Sequence, residues 1–122
     1  MFPPMDGDAA LAQLLEVSDD VRAAVVFERG EPLASNRSED EAAEIAGIAD
    51  AMLAYAGTLR KEADVNQLVA VTPDGDVYVV RQGKRGVVAI AAPGSLAGVV
   101  RHDLRALLGR LSQRSQEAAA RA

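Results

Sequence analysis

The run Val87-Val88-Ala89-Ile90-Ala91-Ala92 carries an apolar side chain at every position. Successive side chains of a β-strand point to opposite faces of the sheet, so this strand is apolar on both faces. An antiparallel sheet with one face in water shows alternating apolar and polar residues instead. The run therefore predicts a sheet that is covered on both sides, which makes a three-layer α/β/α sandwich.

Two turn-forming segments upstream predict that this strand closes a meander. Pro73-Asp74-Gly75-Asp76 and Gly83-Lys84-Arg85-Gly86 supply the proline and glycine residues that tight turns require. They separate strands predicted at Asn66–Thr72, Val77–Gln82 and Val87–Ala92. Links as short as these join antiparallel neighbours.

The N-terminal segment predicts a short helix followed by a β-hairpin. Apolar residues recur at helical spacing over Asp8–Val17, and β-branched residues over Val21–Glu28 indicate a strand. Arg29-Gly30-Glu31 forms a turn, and Pro32–Asn36 returns as a second strand. Because proline cannot donate to a ladder, Pro32 fits either the first residue of a strand or a strand at a sheet edge.

A helix with apolar residues on almost every side is predicted after the hairpin. Ser38 and Glu41 have capping-box spacing, and the helix runs to about Lys61. Between Ala42 and Leu59, polar atoms occur only at Glu44, Asp50, Tyr55 and Thr58. An apolar stripe of about 100° suffices to cover a sheet, so the remaining apolar surface suggests a second copy packed two-fold against this helix. The alternative is that alanine is present only because it favours helix.

A last helix completes one domain. Ser95 is the predicted cap, and one apolar face follows at helical spacing through Leu96, Val100, Leu104, Leu107 and Leu111. The predicted order is α1-β1-β2-α2-β3-β4-β5-α3, with a five-stranded, mainly antiparallel sheet. The domain is expected over residues 8–111, after a flexible N-terminus at 1–7. Residues 112–122 are expected to form a helix end or a disordered tail.

Composition excludes several kinds of site. The 122 residues include no cysteine and a single histidine, His102, which excludes disulfides, thiolate zinc sites and multi-histidine metal sites. No run approaches the roughly 20 apolar residues of a membrane span, and residues 1–6 lack the basic and apolar regions of an export signal. We expect a soluble cytoplasmic protein that does not insert into membranes.

The charge distribution is uneven. Residues 1–80 hold 16 acidic and 5 basic side chains, whereas residues 81–122 hold 2 acidic and 8 basic ones. A net charge of −5 with few aromatic residues argues against nucleic-acid binding. The basic side chains of the C-terminal third form either one basic face or scattered solvated charge, and scattered charge is the simpler interpretation. The side chains concerned are Arg81, Lys84, Arg85, Arg101, Arg105 and Arg110.

Catalytic motifs are missing from the sequence. It contains neither a phosphate-binding G-x-x-x-x-G-K followed by Ser or Thr nor the nucleophile elbow G-x-S-x-G. His102 and Asp103 are adjacent on a predicted helix, where neighbouring residues do not face each other, and His102 belongs to its polar surface. Asp74 and Asp76 resemble a fragment of a calcium loop, but the remaining ligands are absent. We expect no enzyme activity, no cofactor and no metal.

The sequence resembles the roadblock/LC7 family, including its bacterial members of the gliding-protein type. Residues 11–26, Leu-Ala-Gln-Leu-Leu-Glu-Val-Ser-Asp-Asp-Val-Arg-Ala-Ala-Val-Val, resemble the family's opening helix and first strand. Residues 28–35, Glu-Arg-Gly-Glu-Pro-Leu-Ala-Ser, resemble its D-G-x-P-L-A-S hairpin, with Arg29 replacing the usual acid. The acid-capped, alanine-rich second helix and the meander also fit, so the resemblance covers residues 8–111.

The resemblance implies an αβα fold that dimerises through the second helix and the third strand, so that two sheets join. By this analogy the interface residues are Ile45, Ile48, Ala49, Met52, Leu53, Ala56, Val69 and Val71. The implied partners are a second copy and a Ras-like GTPase, sometimes beside a sensor kinase. The chain would be a non-enzymatic regulator or scaffold that docks onto the switch regions of the GTPase. The sequence ranks no arginine as a finger among Arg29, Arg37, Arg81 and Arg85.

Two other functions remain open. A passive assembly subunit would bridge signalling partners equally well with GTP and with GDP. A small-ligand sensor would hold a metabolite in an internal pocket, and a ligand that binds only the folded state would raise its Tm.

Overall fold

The computed structural model describes residues 7–60 and 65–121, with the backbone alone over 112–121. Three helices span Gly7–Val17 (α1), Glu39–Leu59 (α2) and Ala97–Arg121 (α3). Five strands span Val21–Glu28 (β1), Glu31–Ser35 (β2), Gln67–Thr72 (β3), Gly75–Gln82 (β4) and Arg85–Ala91 (β5). The predicted order of elements is confirmed.

The five strands form one sheet in the order β2-β1-β5-β4-β3, and every neighbouring pair is antiparallel. The apolar run that predicts the fold lies in β5, the central strand. Val87, Val88 and Ala89 are buried there. Pairing of β1 with β5 brings the hairpin to the meander and leaves β2 and β3 as the two edges.

Helices cover both faces of this sheet, which confirms the three-layer α/β/α sandwich. On one face α1 packs on β1 and β2, and α3 packs on β4 and β5; on the other, α2 packs on β2, β1 and β5. Each face has its own apolar core. Val26 and Val87 belong to the core below α1 and α3, and their strand neighbours Val25 and Val88 belong to the core below α2.

The second and third strands of the meander begin two residues earlier than predicted, whereas β3 begins at Gln67, one residue later than predicted. Thr72 pairs with Gly75, so the first turn contains only Pro73 and Asp74, and β4 begins at Gly75 rather than Val77. The Thr72 hydroxyl also accepts from the Gly75 amide at 3.1 Å. The second turn is equally short and β5 begins at Arg85. Two-residue turns keep the ladder paired up to the turn, which explains the longer strands.

The helix ends agree with the sequence in one case and differ in another. Ser38 caps α2, because its hydroxyl accepts from the Glu41 amide at 3.3 Å. This helix ends at Leu59 with Arg60 as its C-cap, and the predicted end, Lys61, lies outside the described residues.

The described part of the chain contains no helix that is long and apolar enough to cross a bilayer.

The structure describes where the first helix begins and where the last helix ends. Residues 1–6 of the predicted N-terminal segment lie outside them, and α1 begins at Gly7. Helix α3 extends to Arg121, through the segment for which the sequence left a helix end or a disordered tail open.

Phe27 and Gly86 are closely packed against each other in the sheet. They are opposite each other in β1 and β5, and the Phe27 side chain is 1% exposed. A Cβ atom on Gly86 would lie 2.5 Å from Cζ of Phe27. The aromatic ring therefore occupies the space that a larger residue at position 86 would need.

We expect Gly86→Ala to lower the free energy of unfolding by about 1–3 kcal/mol, because the added methyl group overpacks the core. Chemical denaturation would measure the change. Gly98→Ala is the control, since nothing lies within 4 Å of its added methyl group. An equal cost of Gly86→Ala in wild-type and Phe27→Leu backgrounds would show that the ring is not the obstacle.

Candidate functional site

The two edges of the sheet differ in their capacity to pair with another strand. Strand β2 carries Glu31, contains Pro32 and bulges at Leu33, and α1 and α2 pack against it. Charges, proline and bulges are the usual protections of an edge strand. Strand β3, Gln67–Thr72, has no charged residue, no proline and an unbroken register with β4. Its outer edge is therefore open for pairing.

The hydrogen-bond alternation of β3 identifies the backbone groups on this open edge. The Arg81 amide donates to the Asn66 carbonyl at 2.8 Å, and the pairing continues without a shift to Thr72 opposite Gly75. In an antiparallel ladder the residues of one strand bond alternately to its two sides. Since Asn66 bonds inward, Gln67, Val69 and Val71 direct their N–H and C=O groups outward.

Helix α2 presents its large apolar side chains on one flank. The buried residues that contact the sheet form one line along the helix: Ala42, Ala46, Ala49 and Leu53. At 3.6 residues per turn, three exposed apolar residues lie about a third of a turn from this line: Ile48, Tyr55 and Leu59. Tyr55 is 67% exposed and Leu59 is 68% exposed. The opposite flank includes Asp50, which lies beside Gly30 in the β1–β2 turn. The exposed apolar flank therefore faces away from β2, towards the open edge.

The predicted interface residues of α2 differ in their exposure. Ile48 is exposed, and Ile45, Met52 and Ala56 are half-buried on the same flank of α2. Ala49 and Leu53 are buried in the core that this helix shares with the sheet. They support the flank from below and offer little contact surface.

The two predicted β3 residues lie on the other face of the sheet. Val69 is opposite Tyr78 and Val71 is opposite Asp76, so their side chains share the face that carries α1 and α3. Val71 is 78% exposed and Val69 is 38% exposed. The predicted set thus surrounds the open edge from both faces of the sheet. Tyr55 and Leu59 belong to the same surface, and the sequence reasoning missed them as contact residues.

Ser95 is not the helix cap that the sequence predicts. The first carbonyl to accept in α3 belongs to Leu96, which receives the Val100 amide at 3.0 Å. The Ser95 hydroxyl instead donates to Asp76 Oδ2 at 3.0 Å and lies 2.7 Å from the Tyr78 hydroxyl. A buried carboxylate and a buried phenol need such partners, and they hold Ser95 against the sheet.

This network also corrects the interpretation of Asp76 as a turn residue. Asp76 lies within β4 and is 4% exposed, whereas Asp74 is exposed in the turn. The two carboxylates that resembled a calcium loop therefore have separate surroundings. No group of three or more potential metal ligands occurs among the described residues.

Three arginines from different elements surround one open cavity of about 660 Å³. Arg60 follows α2, Arg81 lies in β4 and Arg105 lies in α3, so two of the six side chains that could form one basic face line the same cavity. Arg81 Nη2 donates to the Val65 carbonyl at 2.9 Å. His102 is exposed outside this cluster, with its Nδ1 3.5 Å from Asp103 Oδ1.

The four candidate arginine fingers differ in whether their side chains form hydrogen bonds within the chain. Arg81 bonds to Val65, and Arg85 donates to the Leu111 carbonyl at 3.3 Å. Arg29 and Arg37 are exposed, and no side-chain hydrogen bond or ion pair links either guanidinium to the described part of the chain. Arg29 has a φ of 52° in a tight turn, a conformation that Asn, Asp and Gly adopt more readily.

Comparison with solved structures identifies the fold. The structure superposes on a roadblock/LC7 domain from Streptomyces avermitilis with a TM-score of 0.80 and 16% identity, over 92% of this chain and 99% of that chain. The chain has the roadblock/LC7 fold. Myxococcus xanthus MglB matches with a TM-score of 0.76 and 13% identity, over 96% of this chain and 94% of that one.

A structure described as MglB with tetrameric arrangement has a TM-score of 0.69 and 19% identity, over 89% of this chain and 87% of that one. No protein-family model and no curated protein matches the sequence. At these identities the likeness establishes the fold and the order of its elements.

We expect Ser95→Ala to destabilise the chain by about 1–3 kcal/mol, because Asp76 loses the only donor identified for its carboxylate among the described residues. A double-mutant cycle with Asp76→Ala should show a coupling free energy of at least about 0.5 kcal/mol. Denaturation of the four proteins measures it. Additive effects of the two substitutions would instead favour a simple capping role for Ser95.

Proposed function

We propose that this chain is a non-enzymatic homodimer that regulates or scaffolds a Ras-like small GTPase. The observation that carries the proposal is the open edge of β3 beside the exposed apolar flank of α2, on a roadblock/LC7 fold. Six of the predicted interface residues remain in the proposed contact surface: Ile45, Ile48, Met52, Ala56, Val69 and Val71.

The unpaired edge of β3 and the exposed apolar side chains of α2 support the dimer. An unpaired strand edge is a template for pairing with another chain, large exposed apolar side chains are unfavourable in water, and both are commonly covered by a partner. Since α2 packs on β2, β1 and β5, the α2 side of β4 and β3 has room for the same helix of a second copy. Pairing of β3 with its own copy would join two five-stranded sheets. The likeness to MglB, which occurs in a tetrameric arrangement, also supports self-association.

The GTPase partner is supported by the likeness to MglB together with the sequence resemblance to the gliding-protein type. A dimer that binds one switch conformation more tightly would shift the population of that conformation. Because GTP-dependent switching uses the cytoplasmic nucleotide pool, we place the complex in the cytoplasm. The sensor kinase stays a prediction.

Arg29 and Arg37 are the arginines that we propose as available to a GTPase. Both guanidinium groups are in solvent and need break no described contact to reach a partner. Arg81 and Arg85 would first have to leave backbone carbonyls.

Affinity capture tests the proposal. The immobilised protein is expected to retain a small GTPase from a lysate of its own source preferentially in one of two conditions, GTPγS or GDP. Mass spectrometry would identify the retained protein. The physical reason is that the switch regions change conformation with the γ-phosphate.

The matched control is Val69→Pro. It removes an outward N–H that the isolated chain does not use, so the fold should persist while self-association is lost. Loss of GTPase capture with Val69→Pro would show that the dimer forms the docking surface. Equal retention with both nucleotides would favour a passive bridge, and retention of no GTPase would contradict the regulator.

A further inference from the structure

The face of β3 that carries Val69 and Val71 is bare. On this side of the sheet α1 packs on β1 and β2, and α3 packs on β4 and β5, so the helical layer stops before the edge strand. As a result Val71 is 78% exposed and Val69 is 38% exposed. In the proposed dimer the opposite face of β3 receives α2 of the second copy, but no described element of either copy covers these valines.

The flank of α3 beside this bare strand is basic. Buried residues such as Val100 and Leu104 form the side of α3 that contacts the sheet. At about 100° per residue, Arg101 and Arg105 lie together on one flank of that side. Arg105 lines the cavity at the start of β3 together with Gln67, so this flank faces the edge strand.

Among the described residues, no acidic side chain lies on this flank or on the edge strand. Strand β3, Gln67–Thr72, carries no charge, and the neighbours of the two arginines along the flank are Ala97 and Gly98. Nε of Arg101 donates to the Ala97 carbonyl at 3.3 Å, and Arg105 is exposed. The bare apolar strand is therefore bordered by positive charge that these elements do not neutralise.

Pairing of β3 with its own copy would turn this surface into a trough with two equal walls. The floor of this valine trough is Val69 and Val71 of both copies, and each wall is the flank of one α3 with Arg101 and Arg105. Strands lie about 4.8 Å apart, so an α3 that spans β4 and β5 lies about 10 Å from the two-fold axis. The two α3 axes are then about 20 Å apart, twice the usual distance between packed helices, so one helix fits between them.

We propose that the valine trough binds one amphipathic helix of a partner protein, with an apolar stripe on the floor and acidic residues on both flanks. Exposed apolar surface with a polar rim is typical of protein-binding sites, and helices bind such grooves through apolar residues at i, i+3, i+4 and i+7. The basic walls favour acidic flanks and repel basic ones. A helix on the two-fold axis contacts both walls, so each dimer binds one. This inference rests on the proposed dimer.

Binding of a model helix tests the site. The probe is a peptide of about 18 residues with leucines at these spacings and glutamates on both sides of the leucine stripe. In the control peptide lysine replaces every glutamate. Isothermal titration calorimetry of the full-length dimer should give one glutamate peptide per dimer, with a Kd roughly tenfold lower than that of the lysine peptide.

A matched pair of charge reversals locates the binding on α3. Arg105→Glu should weaken binding of the glutamate peptide roughly tenfold, because it places a like charge on both walls. Arg110→Glu is the control, since position 110 is about 140° around the helix from position 105 and outside the trough. If Arg105→Glu does not fold, Arg105→Gln replaces it, with a smaller loss of affinity as the expected result.

A matched pair of isosteric substitutions locates the binding on the floor. Val71→Thr should weaken binding of the glutamate peptide roughly fivefold, because the apolar stripe would cover a hydroxyl group in place of a methyl group. Val99→Thr is the control, since Val99 is an exposed valine on the opposite flank of α3. Circular dichroism establishes that each variant is folded, and sedimentation establishes that it is dimeric at the concentration of the titration.

The outcomes separate this inference from the proposed function. One glutamate peptide per dimer, weakened by Arg105→Glu and by Val71→Thr, supports the trough. Equal affinity for the two peptides, two peptides per dimer, or no effect of either substitution would overturn it and leave the dimer intact. Dimers that assemble further into tetramers, and do so less with Arg105→Glu, would assign the trough to a second copy and also overturn the inference. A wild-type chain that stays monomeric would overturn the dimer and the trough together.

Discussion

The antiparallel pairing of β1 with β5 is the constraint on which the rest of the structure depends. It places the apolar run of β5 at the centre of the sheet, with Val25 and Val88 on one face and Val26 and Val87 on the other. It also determines that β2 and β3 are the edges. Helices must cover both faces because both are apolar, and three helices on five strands leave β3 with the least cover.

The difference between the two edges follows from this arrangement. Strand β2 is protected by its own composition and by two helices, whereas β3 combines unpaired backbone groups with exposed Val69 and Val71. The apolar flank of α2 lies towards the same side. A surface with these properties is suited to a strand and a helix of a second chain, which links the fold to the proposed dimer.

The sequence predicted the elements well because their signals are local. Periodicity, the Ser38 cap and the turn residues identify all eight elements, most of them with ends close to those observed. The order of the strands in the sheet, and which side chains are buried, depend on contacts between residues distant in sequence. Local sequence patterns do not encode those contacts. For this reason the sequence did not separate the core residues Ala49 and Leu53 from the exposed Tyr55 and Leu59 on the apolar helix.

The polar sites were harder to predict for the same reason. Ser95 precedes a helix and so looks like a cap, but the buried Asp76 on a distant strand is its partner. Arg60, Arg81 and Arg105 converge only after three elements have packed. Side chains two residues apart on a strand share a face, so Asp76 lies on the same face as Tyr78. This alternation along β4 is the signal in the sequence that could have placed Asp76 among buried residues.

Residue-resolved amide hydrogen exchange along β3 tests the central claim most directly. In an isolated chain the amides of Leu68, Ala70 and Thr72 are bonded to β4 and protected, whereas those of Gln67, Val69 and Val71 face water. If the open edge pairs with a second copy, all six should be protected at high protein concentration, and the outward three should lose protection on dilution. An alternating pattern that does not change with concentration would contradict the account.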